Sequence, residues 1–579
     1  MSISWLFRQV CNLLVLSSVW LVGCQPLSGM PKQISAAQRD PSEMNRVSVE
    51  VLTSPFWAEK TSCFGQFITY TLDHVTMVPG GDTVRMFEAN GGGVAINDLD
   101  GDGWLDIVLA NHRDPNTILW NQTFAHDGRL NFKTERIGKG DARAVTLVDV
   151  DGDNLIDIAF SRRVSAPNFW RNLGDRRFEQ VILDGISKPL YAINWGDLDQ
   201  DGDLDLVGGT YDAGLLAEFG QEFLNGTDAG VYVYTQSGGR FQGSPLALNA
   251  QALALALVDF NGDHRLDVLV GNDFGVPDYG WQQQPVREDG KLAWEPKQFG
   301  VMSHSTMSYA TADVNNDGNF ELFSTDMLPT TTDPVTLSAW KPVIDSMMDG
   351  EDGGSDEQGE PQIIANVLRQ LSGQEASVDL APEMGIHASG WSWSGKFGDL
   401  NQDGFLDLYI VNGMVEATTF AHLPNHELRE ENQAFRNLNG TDFTPAPEWA
   451  LNSIGSGRGM SMADLDRDGD LDIVVNNLRG PSQLFENQLC EGSSLLVDLR
   501  WSGSDNTRAL GSLVTLHTSN GSYQRRVEAA SGYLSGDPSQ IHFGFADDAV
   551  LLSLEILWPD GEFSEVEWLV PDIQLEIVR

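Results

Sequence analysis

A nine-residue acidic loop occurs seven times between Asp98 and Asp472. The first copy reads Asp98-Leu-Asp100-Gly-Asp102-Gly103-Trp-Leu-Asp106, with oxygen-bearing side chains at positions 1, 3, 5 and 9 and glycine at position 6. A hard cation such as Ca²⁺ takes six to eight oxygen ligands at about 2.3–2.6 Å. Alternate residues of a tight loop aim three carboxylates at one point, and position 7 adds a main-chain carbonyl. Position 6 has to turn through positive φ, which glycine does at least cost. The candidate ligands are Asp98, Asp100, Asp102 and Asp106; Asp149, Asp151, Asp153 and Asp157; Asp197, Asp199, Asp201 and Asp205; and Asp259, Asn261, Asp263 and Asp267. The last three loops offer Asp313, Asn315, Asp317 and Glu321; Asp399, Asn401, Asp403 and Asp407; and Asp464, Asp466, Asp468 and Asp472.

These loops are not EF-hands. That motif needs a bidentate Glu at position 12 and flanking helices. Here position 12 is Leu109, Phe160, Gly208, Val270, Ser324, Ile410 and Val475 in turn. The flanks are short and apolar, as in Val94-Ala-Ile before the first loop and Asp472-Ile-Val-Val at the end of the seventh, so each loop joins two strands. The loops at Asp98, Asp149, Asp197 and Asp464 keep four carboxylates and are expected to bind most tightly; those at Asp259, Asp313 and Asp399 keep three. Asn154 and His264 replace the glycine of position 6. The plain alternative is that some copies are structural turns without a metal, the Asp259 loop first among them.

Loop starts recur at intervals of about 50–60 residues with two longer gaps, a period that fits one four-stranded sheet per repeat. Segments such as Asn168-Phe-Trp-Arg-Asn-Leu-Gly and Ala434-Phe-Arg-Asn-Leu-Asn-Gly supply outer hairpins. The reading is an all-β chain: a seven-bladed β-propeller over 61–490, then a small β-domain over 491–579. A linear β-solenoid is the alternative, disfavoured because its repeats are shorter and more uniform. The strand Gln66–Leu72 is expected beside Ser482–Asn487, completing the last blade. If the two are antiparallel, Cys63 and Cys490 meet at their ends as a ring-closing disulfide. An insertion is expected at about 340–375, containing the acidic, glycine-rich run Asp349–Glu360 and then a helical-looking Ile363–Leu371.

The net charge is −47, and the 25 carboxylates at ligand positions explain about half of it. The acidic remainder argues against a nucleic-acid partner. At the N-terminus Arg8 precedes an apolar run ending in Leu21-Val-Gly-Cys24. This reads as a lipoprotein signal over 1–23 with Cys24 lipidated, then a tether over 24–60. By resemblance to Gram-negative lipoprotein sorting, Gln25 after the cysteine favours the outer membrane; export would supply millimolar Ca²⁺ to the loops, which would hold up to seven structural ions.

The loops and their apolar flanks resemble FG-GAP/VCBS repeats, as in the seven-bladed head of integrin α chains. Ala509-Leu-Gly-Ser-Leu-Val-Thr-Leu, Gly532-Tyr-Leu-Ser-Gly-Asp-Pro-Ser-Gln-Ile-His-Phe-Gly544 and Leu557-Trp-Pro-Asp-Gly561 resemble an ASPIC/UnbV domain. Together with Gly390-Trp-Ser-Trp393 the combination is similar to bacterial relatives of cartilage acidic protein. The resemblance implies a secreted calcium-binding propeller.

Catalytic constellations are scarce. His422-Leu-Pro-Asn-His426 spaces two histidines by four, but Pro424 argues against a zinc-binding helix. Gly390-Trp-Ser-Trp-Ser394 lacks the closing glycine of a nucleophile elbow. The function expected is therefore a non-enzymatic, surface-anchored module that binds a protein or glycan. Its connections over 212–250, 273–305, 325–390 and 413–450 lie away from the metal loops. The alternatives are an enzyme acting on extracellular polysaccharide and a structural component of an envelope assembly.

Overall fold

In a computed structural model the chain is described over residues 45–56, 63–81, 83–126, 129–221, 224, 229–287, 290–298, 300–349, 362–371 and 378–579. The signal, Cys24 and most of the tether, and the acidic run 350–360, lie outside the described residues.

Nearly all regular structure is β, with two α-helices, Asp212–Phe219 and Pro334–Asp349, among the described residues. Seven antiparallel sheets follow one another along the chain. Their first strands are Val94–Asn97, Ala142–Val148, Ala192–Gly196, Ala252–Val258, Ser308–Ala312, Gly390–Gly398 and Gly457–Ala463. All are almost fully buried, which explains their continuous apolar and small-residue runs. Each first strand packs on the next, and the last packs on the first. A propeller fits this closed cycle.

An acidic loop joins the first strand of every sheet to the second, and the residue at position 9 opens the second strand. All seven loops therefore lie on one face. Connections leaving second strands, and those leading into the next first strand, lie on the other.

A recurring side chain sews the sheets together. At the end of the third strand an Asn or Gln amide donates to a carbonyl at position 2 of the preceding sheet's loop. Asn172 Nδ2 donates to Leu99 O (2.7 Å) and to Ile156 O of its own loop (2.9 Å). Gln236, Gln283, Asn437 and Asn487 repeat the link to Val150, Leu198, Val314 and Leu400. Asn121 closes the cycle by donating to Leu465 of the seventh loop (2.8 Å). Strand Ile68–Val75 pairs antiparallel with Pro481–Glu486 and completes the seventh sheet. Cys63 and Cys490 are disulfide-bonded beside that pairing, with Cα atoms 5.5 Å apart.

Three boundaries differ from the sequence reading. The expected insertion over 340–375 begins earlier, with the helix Pro334–Asp349, and it ends sooner. The stretch expected to be helical forms strands Gln362–Ile363 and Val367–Gln370, the latter the third strand of the fifth sheet. A partner edge on Glu321–Thr325 outweighs a local helical pattern. The tether gives way at Glu50, where Glu50–Pro55 pairs with Ile573–Val578 as an edge strand of the C-terminal β-domain.

That domain is docked onto the loop face. Ser504 Oγ and Asn506 N both donate to Gly202 O, Thr507 Oγ1 to Asp149 (2.6 Å), and His542 Nε2 lies 3.1 Å from Gly469 O. From it a hairpin, Ala530–Ser531 with Ser535–Gly536, enters the centre of the ring. Six of the seven first strands or their flanks hydrogen-bond to it. Asn194 donates to Ala530 O, Lys396 to Ser531, Val145 N to Leu534 O, and Val94 N and Met460 N to Ser535 Oγ. Gly532 N donates to Tyr309 O at 2.6 Å. Inner strand edges would otherwise leave main-chain groups unpaired in the channel, and the hairpin supplies their partners.

Candidate metal loops

The local geometry of the loops is common to all seven. Position 6 has positive φ throughout, including Asn154 at 70° and His264 at 66°, so neither replacement disturbs the turn. Position 4 is also left-handed, from Gly101 at 75° to Gln402 at 54° and Arg467 at 60°, a requirement the sequence reading missed. Position 1 accepts main-chain N–H groups from across the loop; Asp98 takes those of Gly101 (2.8 Å) and Gly103 (3.0 Å).

Position 9 has a distinct task. One oxygen of Asp157 accepts from Val150 N (3.1 Å) and the other from Asn172 N (2.8 Å). The same double link recurs at Asp106, Asp205, Asp267, Asp407 and Asp472. This carboxylate ties the loop to its sheet and keeps spare lone pairs facing inward.

Three acidic side chains bring ligand oxygens within 4.8 Å of one another in four loops: Asp98, Asp100 and Asp106; Asp149, Asp151 and Asp157; Asp197, Asp199 and Asp205; Asp464, Asp466 and Asp468. These are the loops that keep four carboxylates. In the other three the Asn at position 3 turns its amide onto position 5. Asn261 donates to Asp263 (2.8 Å), Asn315 to Asp317 (3.1 Å) and Asn401 to Asp403 (2.9 Å). An internal proton donor there does part of what a cation would do. Arg265 adds an ion pair to Asp263, so the Asp259 loop is the most self-compensated.

Arginines also reach the Asp98 and Asp149 loops. Arg176 from the second sheet bonds Asp100 (2.5 Å), and Arg171 bonds Asp151 (2.6 Å) and Asp153 (3.3 Å). The Asp197 loop has no such partner among the described residues. It leaves Asp197 Oδ1, Asp199 Oδ1 and Asp203 Oδ1 buried without a hydrogen bond. Burial, reinforced by the neighbouring carboxylates, pushes Asp197 and Asp203 up to about 7 and Asp199 to about 6. Buried like charges raise each other's pKa in this way unless a cation relieves them. In the seventh loop Asp464, Asp466, Asp468, Asp470 and Asp472 are all buried. Burial again comes first in lifting Asp464 to about 7. Asp203 and Asp470, at position 7, were overlooked as acidic contributors although the letter Asp stands at both. The donor set is all oxygen, which suits Ca²⁺.

The remaining candidates are structural. Trp391 and Trp393 lie buried on the first strand of the sixth sheet, Trp393 donating to Gly413 O (2.8 Å). His422 bonds Ala339 O at 3.1 Å, away from any acidic loop.

The closed cycle of sheets, the acidic loops and the docked β-domain define a repeat protein of a known kind. The FG-GAP-like repeat family matches residues 98–160, 149–208 and 425–475, and the ASPIC and UnbV family matches 502–579. The chain carries FG-GAP-like repeats followed by an ASPIC/UnbV domain. It is homologous to cartilage acidic protein 1: 23% identical to that of Mus musculus over 81% of this chain and 70% of that protein, and 23% identical to that of Homo sapiens over 81% and 69%. Among solved structures it is similar to BBS1N in complex with ARL6DN (TM-score 0.40, 9% identity, 72% of this chain and 96% of that one). It is also similar to BP39L lectin from Burkholderia pseudomallei (TM-score 0.39, 11% identity, 69% and 97%). No helix among the described residues is long and apolar enough to cross a membrane.

Proposed function

We propose that this chain is an exported, seven-bladed propeller, lipid-anchored through Cys24, whose loops hold Ca²⁺ as braces and whose opposite face recognises a protein or glycan. The observation that carries the reading is the division of the two faces. The C-terminal domain contacts the Asp149, Asp197, Asp259, Asp399 and Asp464 loops, so much of the loop face is already occupied. The connections of the other face are open and carry apolar side chains: Met86, Leu216, Phe219 and Phe274 are each about 40–50% exposed. Phe87 and Phe274 stack edge-on beside Tyr211, giving an aromatic cluster of the kind that anchors interfaces. FG-GAP-like and ASPIC/UnbV domains in a homologue of cartilage acidic protein 1 support an interaction role outside the cell. Calcium would act through stability of the ring, with loop affinities ordered by uncompensated charge, highest at the Asp197 loop.

The test is binding of the full chain to a glycan array and to immobilised extracellular proteins, with two variants. Phe274→Glu should lower binding at least tenfold, whereas Trp568→Ala, on the C-terminal domain, should leave it unchanged. Equal loss in both variants, or release of product from a polysaccharide panel, would overturn the reading.

A further inference from the structure

At the tip of the inserted hairpin the ring encloses two buried arginines. Arg143 opens onto the axis from the second sheet and Arg458 from the seventh, and both are at most 1% exposed. Arg458 is well provided for. Its Nε donates to Ala89 O (2.7 Å), its Nη1 to Gly413 O, Ser456 Oγ and Gly457 O, and its guanidinium lies 4.2 Å from the Trp393 ring. Arg143 makes one hydrogen bond, Nη1 to Ala142 O (2.9 Å), and its Nε has no partner. Neither forms an ion pair among the described residues. Asp273 is engaged by Tyr211 (2.7 Å) and Asp141 pairs with Arg162 (3.5 Å).

Further donors share this position. Tyr191 is surrounded by the side chains of Asn90, Arg143 and Tyr533. Its hydroxyl, that of Tyr533 and Asn90 Nδ2 are all buried and lack a well-aligned hydrogen bond. Tyr533 is held in place by its own main chain, whose N–H donates to Ser394 Oγ (3.1 Å), and by an edge-on contact with Trp393. The preceding Gly532 sits at φ 69°, where a Cβ would lie 2.7 Å from Ser394 Oγ, so the tip tolerates no larger residue there. Two buried guanidiniums and these polar groups thus meet with no carboxylate pairing either arginine among the described residues. Leaving a guanidinium uncompensated in low dielectric is costly, and a bound anion removes that cost.

We propose that Arg143, Tyr191, Asn90 and Tyr533 bind a small anion, a halide or a carboxylate group, on the axis of the ring. The anion offsets the buried guanidiniums and fastens the hairpin tip of the C-terminal domain to the sheets. Tyr533 comes from one domain and Arg143 from the other, so the site exists only when the two are docked. It is independent of the metal loops, which lie at the far end of the first strands.

The experiment uses the full, calcium-loaded chain. Crystals soaked in bromide should show an anomalous peak within hydrogen-bond distance of Arg143 Nε and the two tyrosine hydroxyls. In solution, bromide or formate should raise Tm saturably over gluconate at equal ionic strength; a response to formate alone would identify a carboxylate site, and one to bromide a halide site. Arg143→Met should weaken the apparent affinity roughly 10–100-fold, the loss expected for a charged hydrogen-bonding partner. Tyr533→Phe, which keeps the ring packing and so tests the site even if Arg143→Met fails to fold, should weaken it about 2–10-fold. Absence of an axial peak together with equal Tm in all three anions would overturn the proposal and leave the site to water.

Discussion

Removing Ca²⁺ should lower the melting temperature of the ring by several degrees, and the size of the fall follows from the loops. Four of them bring three carboxylates within 4.8 Å, and these are taken as the sites that fill. Extracellular calcium modules bind with Kd of about 0.1–1 mM. At about 2 mM Ca²⁺ a site of that affinity stabilises the folded state by roughly 0.6–1.8 kcal/mol, and four together by about 3–7 kcal/mol. A chain of this size unfolds with an entropy of roughly 1 kcal/mol per kelvin, so the expected shift is about 3–7 °C. The assay is differential scanning calorimetry in calcium and in EGTA, with Mg²⁺ as the control for ionic strength. Asp199→Asn should remove about a quarter of the shift, because it takes one carboxylate from a loop that has no arginine partner among the described residues. Asn261→Ala should change the shift little, since its amide already bonds Asp263. A shift below about 1 °C, or an equal shift in both variants, would refute the reasoning that uncompensated buried charge sets metal occupancy.

Three further outcomes test the scaffold. Asn172→Ala, which strips the donor from Leu99 O and Ile156 O, should destabilise by about 1–3 kcal/mol in urea unfolding, and the glutamine variant should recover part of it. Replacing Cys63 and Cys490 by serine opens a closure spanning 427 residues and should cost about 2–4 kcal/mol, read as a lower Tm that no longer responds to reductant. Glu430 is lifted by burial to about 7 although Trp391 N and Trp340 Nε1 donate to it. The folded state therefore holds this proton more tightly than the unfolded chain. Its stabilising effect is full below about pH 4 and is lost as pH rises through 7, so Glu430→Gln should flatten the fall in Tm between pH 5 and 8 by one proton's share.

How much of this was legible in the chain depends on the range of the interaction concerned. The loops were readable because their ligands lie within nine residues of one another, and a turn that must aim three carboxylates leaves little freedom of sequence. The same locality exposes the strands around them, whose apolar runs stop at each Asp of position 1. Position 4 escaped notice because a left-handed residue need not be glycine, as Gln200, Asn316, Gln402 and Arg467 demonstrate. Asn172 and Asn437 stood in recognised hairpins, yet their task is to reach a neighbouring sheet, and nothing in a single repeat reveals a partner 73 or 123 residues away. Their recurrence at one position after each third strand was the available signal.

The docking of the C-terminal domain was beyond that kind of reading, for a physical reason. Its contacts with the loops are made largely through main-chain carbonyls: Gly202 O, Gly469 O, Asn154 O and Asp259 O each accept from it. A carbonyl carries no side-chain signature. The hairpin is equally anonymous, because Gly532 to Gly536 meets the ring through strand edges as well as side chains. Yet the consequence is specific. Thr507 bonds Asp149, the position-1 candidate ligand of the second loop, at 2.6 Å, so the domain touches the candidate ligand set itself. Thr507→Val should therefore alter calcium affinity at that loop while leaving the Asp464 loop unchanged. Site-resolved titration in which both loops respond alike would mean that the domain acts on the ring as a whole, and that the hydroxyl contact is incidental.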